Sequence, residues 1–123
     1  MVPLEADVVA ALRGAGARFA YVHGSRAEGR ATAGSDLDVA AWWGSPEPPP
    51  SWDVGVPDGT DLTVLDAAPF ELAGRVAMWG RLLFDDDPPA RVRWEASTRK
   101  VWLDERPRRA ATVQAYLAAR ARG

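Results

Sequence analysis

The sequence contains no cysteine. That absence excludes disulfides, thiol catalysis and cysteine-ligated zinc, and it fits a reducing cytoplasm. Histidine occurs once, at His23, so no histidine cluster is available to hold a metal. Lysine also occurs once, against fourteen arginines, a coding bias that carries no function. No apolar run approaches the ~20 residues of a membrane span. The opening MVPLEADVV lacks a basic segment followed by a long apolar stretch, so no signal peptide is expected. A net charge of -2 gives no general affinity for membranes or nucleic acid, and direct nucleic-acid binding is not expected.

What is present suits one compact domain over residues 1–123, with 47% hydrophobic residues and six tryptophans for its core. LEADVVAALRG at 4–14 spaces Leu4, Val8, Val9 and Leu12 as a helix does, and Gly14 is a stop. RFAYV at 18–22 reads as a buried strand, and Arg26 to Arg30 as a short helix. DLDVAAWW at 36–43 reads as a second strand. Residues 44–59 are rich in proline and glycine and form a loop. DLTVLD at 61–66 is the next strand. Pro69 opens a helix with apolar Phe70, Leu72, Ala73, Val76 and Ala77, which Gly80 ends. RLLF at 81–84 is a strand, residues 90–103 are a helix, and Pro107 opens a last helix. The class is α/β of the α+β type, a small mixed sheet flanked by helices.

The chemistry concentrates in HGSRAEGRATAGSDLDV at 23–39. Successive strand side chains point to opposite faces, so Asp36 and Asp38 share one face while Leu37 and Val39 take the other. The carboxylates then stand about 7 Å apart. Their repulsion calls for a cation, and carboxylates with substrate phosphates are the usual Mg²⁺ ligands. A bare Asp-x-Asp is common in turns, but three features add to it. The pair lies at the mouth of a strand. Gly24-Ser25 follows a strand and offers N–H groups and a hydroxyl to an anion. Asp61 begins the next strand and meets the pair from beside it. Together they point to phosphoryl or nucleotidyl transfer assisted by metal ions.

Other residues read more plainly. Arg26 pairs with a phosphate or is solvated. His23 ends a strand and reads as a satisfied or partly exposed side chain. Asp85, Asp86 and Asp87 cap a helix. Arg99 and Lys100 form a solvated helix face, with a triphosphate contact as the alternative. Trp42 and Trp43 are read as core, and Trp52 as a residue available to a partner surface.

The Gly24-Ser25 turn, the ten residues after it, Asp36-x-Asp38 and then Asp61 resemble the signature of the DNA polymerase β-like nucleotidyltransferases. The wording GSRAEGRATAGSDLD and the chain length are similar to the minimal nucleotidyltransferases, or MNT proteins, commonly encoded beside a HEPN-domain protein as a toxin–antitoxin pair. The resemblance covers roughly residues 5–105. It implies the nucleotidyltransferase fold and transfer of AMP from ATP to a tyrosine hydroxyl of the HEPN toxin, an RNase, which is thereby neutralised. It implies Asp36, Asp38 and Asp61 as catalytic residues and ligands of two Mg²⁺ ions. Gly24, Ser25 and Arg26 would bind the nucleotide. Neutralisation by contact alone, and modification of a small molecule such as an aminoglycoside, are the alternatives. Little chain remains beyond the catalytic core, so the acceptor is expected on another protein.

Overall fold

A computed structural model describes residues 2–24, 36–105, 114–115 and 117–120. Helix α1 (Glu5–Gly14) leads into strand β1 (Phe19–Val22), followed by β2 (Leu37–Trp42). A 3-10 turn at Ser51–Asp53 interrupts the loop to β3 (Thr60–Val64). A second 3-10 turn at Leu65–Ala67 precedes helix α2 (Phe70–Trp79), strand β4 (Arg81–Asp85) and helix α3 (Pro88–Asp104). Residues 114–115 and 117–120 are helical. The short helix expected at Arg26–Arg30 and the start of the last helix at Pro107 lie outside the described residues.

The strands form one mixed sheet in the order β3-β2-β1-β4. β1 runs antiparallel to both β2 and β4, and β2 runs parallel to β3. On one face, Val8 and Leu12 of α1 pack against Val22, Leu37, Val39, Ala41, Trp43 and Phe84. Val8 and Leu12 are one helical turn apart and fully buried, so they fix which face of α1 meets the sheet. Truncating Leu12 to alanine would cost about 2–5 kcal/mol. On the other face, Phe19, Tyr21 and Ala40 pack with Leu65, Ala73 and Val76, joined by Trp42 and Trp94. β1 is buried along its whole length because helices cover both of its faces.

The α1 stop is at Gly14 as expected, but the left-handed residue is Gly16, at φ 91°. Helix α3 starts two residues earlier than 90. Asp87 accepts a hydrogen bond from the Ala90 N–H at 3.3 Å, and prolines occupy the first turn, where no intrahelical N–H partner is needed. Of the other two aspartates there, Asp85 binds Arg91 and Asp86 reaches Arg13 of α1. The strand expected at 61–66 ends at Val64 instead. Asp66 is diverted because its carboxylate accepts the backbone N–H groups of Trp43, Gly44 and Ser45, at 2.9, 2.7 and 3.2 Å. Trp42 stacks on Phe19, its cross-strand partner, with ring centroids 5.0 Å apart. Trp43 is buried, and its Nε1–H donates to the Ala15 carbonyl at 3.0 Å. Both therefore pack in the fold. Among the described residues no helix is long and apolar enough to cross a membrane.

Candidate functional site

Strand pairing gathers three of the chemically notable residues into one row. β1 and β2 pair Val22 with Val39, and one step further the His23 N–H donates to the Asp38 carbonyl at 3.0 Å. β2 and β3 pair Asp38 with Asp61. Side chains at paired positions share a face. His23, Asp38 and Asp61 therefore cross one end of the sheet side by side, on the face that carries Tyr21 and Ala40 further along. Leu37 and Val39 anchor β2 from the opposite face, which leaves Asp38 half-buried at the strand mouth. Asp36 stands one residue before β2 and is exposed, as is Asp61.

This crowding sets the charge behaviour. Burial pushes the Asp38 carboxyl above its usual range. His23 pulls it down, while the charge of Asp61, a hydrogen bond with Asp61 and then the charge of Asp36 raise it further. Burial pulls the His23 imidazole below its usual value, outweighing the attraction of Asp38 and Asp61 and a hydrogen bond with the Val39 backbone. His23 Nε2 is buried and has no hydrogen bond among the described residues. His23 as a whole is partly exposed, as expected of a residue that ends a strand, and what the sequence did not display is its place beside the carboxylates. The antiparallel β1–β2 register carries His23 to the carboxylates, and one sequence does not display that register.

Gly24 closes the row. Its φ of 72° lies in the left-handed region, and a Cβ there would sit 2.5 Å from Asp38 Oδ2. Glycine thus serves twice, permitting the turn and letting the carboxylate lie flush against the backbone. Ser25 and Arg26 lie outside the described residues.

Further along the same face a polar network stiffens the floor. The Tyr21 hydroxyl donates to Glu95 Oε1 at 2.5 Å. Glu95 also meets Arg91 at 3.2 Å and Arg99 at 3.5 Å. Burial first, and Glu95 second, keep the Tyr21 hydroxyl protonated far above its ordinary range. Arg99 also donates from Nε to the Ala77 carbonyl at 2.6 Å, and Lys100 pairs with Asp104 at 3.4 Å. Arg99 is thus engaged in helix packing and Lys100 in an exposed pair along α3.

Asp38 and Asp61, with Asp36 before the strand, are the side chains that could hold a divalent cation. Among the described residues no three His, Asp or Glu side chains are gathered closely enough to hold one as they stand. The donor chemistry fits a hard cation nonetheless. The donors are carboxylate oxygens, their mutual repulsion falls on the half-buried Asp38, and Gly24 leaves no Cβ over Asp38.

No family model and no curated protein matches the chain. Solved structures do match it in shape. A toxin–antitoxin crystal structure with AMP-PNP aligns with a TM-score of 0.76 at 18% identity, covering 94% of this chain and 99% of that one. A HEPN toxin of Shewanella oneidensis, tri-AMPylated and in complex with its MNT antitoxin, provides a match with a TM-score of 0.69 at 17% identity, covering 92% and 95%. The MntA–HepT toxin–antitoxin structure aligns at 0.67 and 17%, covering 92% and 96%. The fold is therefore the one shared with these structures, a four-stranded mixed sheet flanked by helices, as the sequence led us to expect.

Proposed function

We propose that this chain is the antitoxin of a HEPN–MNT-type pair and a nucleotidyltransferase that moves AMP from ATP to a tyrosine hydroxyl of its HEPN partner. The observation that carries this reading is the pairing of Asp38 with Asp61 across β2 and β3, in a fold shared with MNT antitoxins. The neighbours support the chemistry by their contents, AMP-PNP in one and a tri-AMPylated toxin in another.

In this reading Asp36, Asp38 and Asp61 would hold Mg²⁺, expected as two ions. When bound, the metal supplies neutralising charge for the triphosphate and lowers the pKa of the acceptor hydroxyl. The chain's own residues do the rest. Gly24 lets Asp38 approach the turn that receives the nucleotide, and Ser25 and Arg26 are assigned to the phosphates. Asp61 is exposed at the sheet end and takes the proton of the incoming hydroxyl. The hydroxyl oxygen bonds to the α-phosphorus, the bond from that phosphorus to the bridging oxygen breaks, and pyrophosphate leaves with the electron pair. Soluble action in the cytoplasm accompanies this proposal.

Labelled ATP, Mg²⁺ and the protein encoded beside this chain's gene provide the test. Label should pass to that protein from wild type and not from Asp36→Ala plus Asp38→Ala. Full neutralisation by the double variant, without transfer, would instead establish contact-only inhibition. Transfer to an aminoglycoside and not to the partner would move the acceptor to a small molecule.

A further inference from the structure

The loop between β2 and β3 presents an aromatic side chain that the fold does not use. Trp52 is 83% exposed, whereas Trp43 is 6% exposed. Its backbone is nevertheless held. Trp52 lies within the 3-10 turn Ser51–Asp53, preceded by the extended Pro50 and followed by Val54, which packs in the core beneath α1. Asp66 ties down the start of the same loop through three backbone N–H groups.

Trp52 also stands between two concavities along β3, an edge strand of the sheet. One, bordered by Gly55 and Thr60, reaches Asp61. The other is an apolar groove of about 630 Å³ whose walls include Pro49, Pro50, Leu62 and Leu72. Exposed indole, apolar groove and candidate catalytic carboxylate are thus contiguous.

Charge decides what this surface receives. From Asp36 to Gly74 the sequence has eight acidic residues and no lysine, arginine or histidine. Five of the eight, Glu47, Asp53, Asp58, Asp66 and Glu71, lie outside the set assigned to the metal. Glu47, Asp53 and Asp58 are exposed on the loop that bears Trp52. The triphosphate is assigned to the Mg²⁺ at Asp36, Asp38 and Asp61, and the loop beyond that set has no basic side chain to hold phosphates. A basic protein surface is attracted, and its arginine or lysine gains further from the indole face.

We propose that Trp52 and the acidic β2–β3 loop form the docking surface for the acceptor protein, and that they take a basic segment with an apolar residue seated in the proline-walled groove. The word acceptor rests on the nucleotidyl-transfer reading; the docking itself does not.

Calorimetry with the protein encoded beside this chain's gene tests the idea, at 50 and 300 mM NaCl. Trp52→Ala and the pair Asp53→Arg plus Asp58→Arg should each weaken binding about tenfold or more. Salt should weaken wild-type binding, and weaken the charge-reversed variant less. Affinity for AMP-PNP should stay the same in both, and melting curves should show both folded. Unchanged partner affinity in both variants overturns the proposal. So does loss of AMP-PNP binding in Trp52→Ala, or a wild type that does not bind the partner. Binding through Trp52 without any label transfer would remove the transfer reading and leave the docking surface standing. Transfer with variant binding unaltered would do the reverse.

Discussion

Asp38 and Asp61 are direct partners across the parallel β2–β3 pair, so two carboxylates meet where each strand begins. Burial and the neighbouring charge hold Asp38 above its ordinary range. The fold therefore gives up stability at the place where it assembles a candidate site. Asp38→Asn should raise the melting temperature of the metal-free protein at pH 7. The same change should reduce AMP transfer by about a hundredfold or more. A lower melting temperature would show that the Asp38 carboxylate is stabilising and contradict the strain.

Gly24→Ala should damage the site and the fold together. The new Cβ would meet Asp38 Oδ2 at 2.5 Å, and φ 72° is unfavourable for alanine by about 1–2 kcal/mol. Denaturant midpoints and nucleotide affinity should both fall. Retained affinity would show that Asp38 is free to swing away.

Gly74→Ala sets two effects of opposite sign against each other. Alanine favours the interior of α2 by about 1 kcal/mol. Its Cβ, however, would run into the Trp102 indole of α3, which is 9% exposed. Overpacking of this kind costs about 1–3 kcal/mol, so a net loss of stability is expected in urea unfolding. A gain would mean that Trp102 moves aside freely.

The ion pair of Arg13 with Asp86 predicts a pH dependence. Both guanidinium–carboxylate contacts measure 2.8 Å, and they hold the Asp86 carboxyl below its ordinary value. The stability it contributes is present above the unfolded carboxyl range, near pH 4, and is lost as pH falls through the depressed value. Asp86→Asn should therefore melt below wild type at pH 6 and converge with it near pH 2. Because both side chains are about half exposed, 0.5 M NaCl should narrow the gap.

The strands at 19–22, 37–42 and 81–85 were legible because short apolar runs sit between glycine, proline and charge. Asp61 was legible as a neighbour of Asp38, since a strand beginning with a carboxylate beside another such strand leaves few arrangements. His23 was not, because its place depends on the β1–β2 register. Asp66 was misread for a different reason. Thr63, Val64 and Leu65 favour a strand by residue type although the alternation breaks at Leu65, and the N–H groups of the loop start at 43–45 show why the chain turns away there. Ser25 and Arg26 were read from the motif alone.

The Asp66 carboxylate that receives three backbone N–H groups has a consequence for variation. It fixes the point where the chain departs β2, while Val54 is moored independently in the core. The stretch between these moorings is an exchangeable cassette. On the docking proposal, a change in its length or lettering would change the partner that is bound, while the row of carboxylates at the sheet end keeps its spacing.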